Sequence, residues 1–231
     1  MQARKNRKSN IIKKWSGETM EVYLIRHGES ESNAKVSESG DSVLTPLGHQ
    51  QADAAGRALQ GAGIERLYCS LQQRALQTAG YISLHTGLSP VAWLELCERG
   101  YSRHDNGLPR SEIARQYSNV ALPEEADELG WARHWTQESE EELFQRMGRV
   151  ADKLRALAVS GQFQRIACVV HAVSCSMLLR CILGVDPGSN ARFTHENCGI
   201  TLIKYMEDRT LLRHLNDTRH MEGLKTEEQA G

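Results

Sequence analysis

Apolar residues in this chain fall into short β-rich runs that alternate with longer stretches of helical spacing. Glu21-Val22-Tyr23-Leu24-Ile25 predicts a first strand, mostly apolar as a strand buried in a parallel sheet should be. A loop rich in Ser, Glu and Gly follows over 30–42, and Thr45-Pro46 then opens a helix that runs to Leu59. Proline suits the first helical turn just after a Thr cap, and Ala52, Ala55 and Leu59 keep helical spacing. Gly61-Ala62-Gly63 stops this helix. Glu65–Cys69 predicts a second strand, followed by a helix from about Gln72 to His85 with Ser70 as its cap. Val91–Leu94 reads as a third strand, the segment 95–110 has no clear period, and Glu112–Tyr117 reads as a short helix. From Glu140 to Leu157, Leu143, Met147, Val150, Leu154 and Leu157 alternate spacings of four and three, which makes one apolar stripe on a long helix. Arg165–Val170 is the strongest buried-strand pattern; it ends at His171 and precedes a helix over Ser174–Leu183, stopped by Gly184. Gly199–Tyr205 and Thr210–Leu215 predict an antiparallel pair, and the polar chain after Asp217 is expected to lack packed structure.

Strands alternating with helices predict an α/β domain with a largely parallel sheet. Such sheets bind ligands beyond the carboxyl ends of their strands. Of the nine histidines, His27 and His171 stand at predicted strand ends. Arg26 precedes His27, and Arg74 falls in the first turn after the second strand, so two arginines and two histidines should converge on one rim. Guanidinium groups fit phosphate oxygens in bidentate fashion, and a cationic pocket floored by imidazole suits phosphoryl transfer. Metal binding is the competing use of the histidines. It is disfavoured because a fixed cation beside a divalent metal is costly and no HExxH or HxH spacing occurs.

Composition narrows the partners. A net charge of −1 over 231 residues and a pI near 6.8 give no pull toward nucleic acid or membrane surfaces, and no apolar run reaches the roughly 18 residues of a span. The six cysteines include no CxxC pair and sit mostly in apolar segments, which points to reduced core thiols in a cytoplasmic protein. Residues 1–19 are rich in Lys and Arg with Glu18 as the single acid, and are read as a solvated basic tail with Met20 as an alternative start. The domain is then expected over 20–216, with a polar tail over 217–231.

Leu24-Ile25-Arg26-His27-Gly28-Glu29-Ser30-Glu31-Ser32-Asn33 resembles the signature of the histidine phosphatase superfamily. Leu44-Thr45 with Gly48, Gln51 and Ala52 resembles the family's next block. Ser70, Arg74, Gln77, Thr78 and Ala79 resemble its second arginine block, and Val169-Val170-His171 the block carrying its second histidine. The blocks stand in family order from about 21 to 205. The resemblance implies a three-layer, phosphoglycerate mutase-like fold, with a mostly parallel central sheet and helices on both faces.

The resemblance also implies roles. His27 would attack phosphorus through Nε2, with its Nδ1–H held by a backbone carbonyl, that of Gly28 being the expected one. Arg26, Arg74 and His171 would hold the phosphoryl oxygens, and Asn33 would add a neutral donor. The family's general acid is a carboxylate after the third strand. Both Glu95 and Glu98 lie there; Glu98 aligns better and Glu95 is the reserve. Ala172 stands where the family often has Gly.

The implied activity is a phosphatase for a small phosphorylated metabolite, with no metal and no cofactor. The alternatives are a cofactor-dependent phosphoglycerate mutase, or a silent phospho-ligand-binding module on the same fold. Mutases carry Trp at the position of Ser32. Specificity is expected in 34–43 and 99–136, where Arg99, Arg103, His104, Arg110, Arg133 and His134 supply positive charge and Trp131 and Trp135 either wall the pocket or pack. The sequence does not set the oligomeric state.

Overall fold

The computed structural model describes residues 19–100, 107–132 and 138–224. Its first strand, β1, spans Met20–Arg26, and helix α1 follows over Pro46–Leu59. Thr45 caps α1 by accepting the Gly48 N–H at 3.0 Å, as its place before Pro46 predicts. Strand β2 covers Arg66–Cys69, helix α2 Gln73–Thr86 and strand β3 Val91–Ala92. The third strand is thus shorter than expected: Trp93 still donates to the Cys69 carbonyl, but Leu94–Leu96 coil into a 3₁₀ turn. Helix α3 spans Arg110–Gln116 and α4 Glu140–Ser160. A capping box between Ser139 and Glu142 starts α4, and Gly161 at φ +64 ends it. Strand β4 is Arg165–Val170, α5 is Ala172–Leu183, β5 is Ile200–Tyr205 and β6 is Thr210–Asp217.

The six strands form one sheet in the order β3-β2-β4-β1-β5-β6. The first four are mutually parallel, while β5 runs antiparallel to β1 and β6 antiparallel to β5. Side-chain alternation divides the core. On β4, Ala167 and Val169 pack with Ala52, Ala55 and Leu59 of α1 and Leu76 and Ala79 of α2. Ile166, Cys168 and Val170 face the other way, onto Leu143, Met147 and Leu154 of α4 and Leu178 of α5. Helices therefore cover both faces, and the architecture is the three-layer α/β sandwich expected.

Two local expectations are corrected. Ser70 does not cap α2; Asp41 Oδ1 accepts the Gln73 N–H at 2.7 Å, while the Ser70 hydroxyl accepts the Gln72 N–H just ahead of the helix and meets His171. Past Asp217 the described residues, as far as Leu224, stay packed, with a 3₁₀ turn over Arg219–Met221. Met221 lies against the core, and His220 Nε2 lies 3.1 Å from the Cys198 carbonyl.

Candidate active site

β1 and β4 lie side by side in register, with Arg26 opposite Val170. The next residue of each strand is therefore one of the two histidines, and the His27 N–H donates to the Val170 carbonyl at 3.0 Å. Their rings are 4.9 Å apart between centroids, tilted by 55°. His27 is 3% exposed and His171 0%.

Two bonds fix the His27 tautomer. Nδ1 lies 2.7 Å from the Gly28 carbonyl, which can only accept, and Arg74 Nε, which can only donate, is 3.2 Å from Nε2. The proton is on Nδ1 and the lone pair on Nε2. Burial, then Arg74 and Arg26, hold the imidazole well below its ordinary value, so it is neutral. Gly28 itself has no room for a side chain, since a Cβ there would lie 2.5 Å from the Gly48 carbonyl of α1. Its N–H donates to Thr78 Oγ1, the Glu29 N–H to Gln51 Oε1 and the Leu44 N–H to Gln77 Oε1. The polar residues of the sequence blocks thus brace the loop after β1.

Arg74 projects from the first turn of α2 and also donates to the Gly40 carbonyl at 2.9 Å. Arg26 Nη1 donates to the His195 carbonyl at 2.7 Å, and its Nε is buried without a hydrogen-bond partner among the described residues. Burial lowers its pKa, partly offset by Glu98 and Glu196. His171 is held well below its ordinary value by burial and by Arg74, so it too is neutral. Ala172 takes an ordinary place at the start of α5, without positive φ, so the departure from Gly leaves no strain.

The two candidate acids separate clearly. Glu98 accepts the Val173 N–H at 3.0 Å and the Ser174 N–H at 2.8 Å, which places its carboxylate at the α5 N-terminus beside His171. Glu95 instead borders a separate depression beside β3, shared with Tyr68, Trp93 and Lys153. Asn33 is exposed at the rim; its Oδ1 takes the Ser30 N–H and Asn197 Nδ2, leaving the amide nitrogen as its donor end. Among the described residues no cluster of three His, Cys, Asp or Glu side chains could hold a metal, and no helix is long and apolar enough to cross a membrane.

Four supporting residues were not foreseen in these roles. Arg146 donates to the Glu95 and Cys97 carbonyls and pairs with Glu138, which locks the turn that presents Glu98. The sequence held a signal for it, because Arg146 sits on the apolar stripe of α4, three residues after Leu143 and four before Val150. Gln72 accepts the Glu98 N–H and donates to Gly40. Asn197 donates to the His27 carbonyl, and the Ser70 hydroxyl meets His171; neither has a periodic signal. Two rim residues serve structure instead. Arg110 donates to the Pro123 and Ala126 carbonyls, and Trp131 is buried against Gly107. Arg103, His104, Arg133, His134 and Trp135 lie outside the described residues.

A two-histidine, two-arginine pocket at the carboxyl edge of a parallel sheet defines a class, and comparison with known families agrees. The chain belongs to the histidine phosphatase superfamily, branch 1, whose family model matches residues 22–218. Among curated proteins it is similar to "Probable phosphoglycerate mutase GpmB" of Salmonella paratyphi B. The two are 27% identical over 201 residues, covering 83% of this chain and 88% of that one. Among solved structures it resembles an α-ribazole-5′-P phosphatase candidate from Escherichia coli K-12 (26% identity, TM-score 0.65, 86% of this chain and 98% of that one). A phosphoserine phosphatase from Entamoeba histolytica shares the fold at 22% identity, TM-score 0.61, over 87% of this chain and 99% of that one.

Proposed function

We propose that the protein is a metal-independent phosphatase that hydrolyses a small phosphorylated metabolite through a phosphohistidine on His27. The observation that carries this reading is the His27 lone pair. Nε2 is fixed as the unprotonated nitrogen, in a neutral imidazole, between the guanidinium of Arg74 and the ring of His171.

In the first step the Nε2 lone pair forms a bond to phosphorus as the bond to the ester oxygen breaks. Arg26 and Arg74 stabilise the phosphoryl oxygens with charge, His171 and Asn33 with neutral donors. Glu98 passes its proton to the departing alkoxide. In the second step Glu98, now a carboxylate, takes a proton from water as that oxygen attacks phosphorus, and the phosphorus–nitrogen bond breaks to release phosphate. The two amides of α5 keep Glu98 in place for both transfers. The pocket's own cations supply the charge that a metal supplies elsewhere. The expected partner is a phosphorylated small molecule, with no role for nucleic acid or membrane, and the expected location is the cytoplasm.

The similarity to GpmB supports a second reading, phosphoryl return to a second hydroxyl of a phosphoglycerate. Against it, Ser32 is exposed where the mutases have Trp, which leaves the rim open to water. One experiment separates the two. Incubation with labelled substrate, quenched in base, should trap a phosphohistidine that His27→Ala does not form, and EDTA should not change the rate. With 3-phosphoglycerate and 2,3-bisphosphoglycerate the product should be inorganic phosphate. Efficient formation of 2-phosphoglycerate with little free phosphate would favour the mutase, and activity that needs Mg²⁺ or Zn²⁺ would overturn the mechanism.

A further inference from the structure

The two buried histidines differ in what fixes their protons. His27 has both ring nitrogens bonded within the protein. On His171, Nε2 lies 2.8 Å from Ser70 Oγ, whereas Nδ1 is buried without a hydrogen-bond partner among the described residues. Such an orphaned atom in a native fold calls for a reason.

Ser70 immediately follows β2 and is wholly buried, its N–H bound to the Val169 carbonyl at 3.1 Å. A serine hydroxyl accepts two hydrogen bonds and donates one. The Gln72 N–H, 3.2 Å away, fills one acceptor position. Cys97 Sγ also lies 3.2 Å from Oγ, in a geometry that suits the hydroxyl as donor, although a hydroxyl and a thiol can each take that part. Burial pushes that thiol up to about 11, so the sulfur carries a proton that can fill the second position. The hydroxyl proton then has one acceptor left, Nε2 of His171, at the shortest of the three contacts. A neutral imidazole that accepts at Nε2 carries its proton on Nδ1. With the opposite arrangement, Ser70 would donate to sulfur and His171 would turn an Nδ1 lone pair toward the phosphoryl oxygens, setting acceptor against acceptor.

We propose that Ser70 is a positioning residue, whose hydroxyl donates to His171 Nε2 and so holds the His171 Nδ1–H ready as a donor to the phosphoryl group. This rests on the reading of the pocket given above. It explains how His171 can bind an anion while neutral, and why Ser70 is drawn away from the cap of α2.

Long-range ¹⁵N–¹H correlation spectra of histidine-labelled protein report the tautomer directly, with and without saturating inorganic phosphate. The expected result is a proton on Nδ1 of His171 in the wild type under both conditions. In Ser70→Ala that single tautomer should be lost and kcat/KM should fall about ten- to a hundredfold, the worth of one hydrogen bond to a charged group. Cys97→Ala should keep the Nδ1–H form, since the Ser70 proton then has no second acceptor. A wild-type proton on Nε2, or an Nδ1–H form that survives in Ser70→Ala, overturns the proposal. If Ser70→Ala does not fold, the wild-type spectra decide. The spectra need no turnover, so an inactive protein with His171 Nδ1–H would count against the phosphatase reading and leave the tautomer assignment standing.

Discussion

The floor of the pocket and its rim are built by different means. On the floor, His27, His171 and Arg74 sit directly after packed strands or in the first turn of a helix, each 7% exposed or less. Their polar atoms are held by carbonyls of Gly28 and Gly40 and by the Ser70 hydroxyl. At the rim, Asn33 and Arg99 are exposed, and Arg99 Nε donates to the Glu138 carbonyl. Glu98 belongs to both: its backbone lies beside Arg99, yet its carboxylate is anchored on α5. The contrast separates two tasks. Geometry that must be kept within fractions of an ångström is assigned to strand ends, and tolerance for a particular substrate is left to loops.

The sharpest break in this comparison is His27→Ala. Loss of the nucleophile should cut turnover by at least about four orders of magnitude and abolish the trapped phosphoenzyme. Glu98→Gln should come next, slowing alkyl phosphates by about two to four orders of magnitude and aryl phosphates less, because their leaving groups need less protonation. Glu95→Gln should leave both rates near wild type; the reverse pattern would show that the rim acid has been misassigned.

A smaller effect is expected from proton linkage on the floor. His27 and His171 both lie below the ordinary value of 6.5 in the fold. Below pH 6.5 the unfolded chain binds protons at these sites that the native state does not, so stability falls as pH falls. The slope should approach about 1.4 kcal/mol per pH unit for each histidine until the folded-state value is reached. Urea unfolding between pH 7.5 and 5 measures this, and His171→Gln should lower the slope by up to about 1.4 kcal/mol per pH unit, leaving the share of His27 and of the other histidines lowered in the fold, His195 and His220. For the same reason, the acid limb of the rate profile should lie below the usual imidazole range. The smallest effect is expected at the outer rim, where Arg99→Ala should change KM by less than about tenfold with kcat preserved. A large fall in kcat there would erase the distinction between floor and rim.

The floor was also the legible part of the sequence. His27 and His171 announce themselves because an apolar run ends at each, and a parallel sheet places the ends of its strands together. Gly28 and Gly48 were visible as residues, but their mutual contact was not, because it depends on how closely α1 approaches the loop. Ser70 looks like a cap because its position before a helix obeys local rules, while the His171 ring that it meets lies 101 residues away. Arg146 is the opposite case: its charge breaks the apolar stripe of α4, so its signal is local to the sequence. The stretch 95–110 has no clear period, so its roles, such as Arg110 bonding to two carbonyls, arise only from tertiary contact.

The register between β1 and β4 has a consequence for how such a protein can vary. From Glu21 opposite Arg165 to Arg26 opposite Val170, every rung is occupied, and the histidines are simply the next count on each rail. Deleting one residue within β4 would draw His171 back by about 3.3 Å and turn its side chain to the other face of the sheet. Insertions in 34–43 would change nothing in that count. Descendants of this chain are therefore free to lengthen their loops wherever the Gly40 and Asp41 contacts to α2 are kept, while the two central strands act as a ruler whose divisions cannot be renumbered.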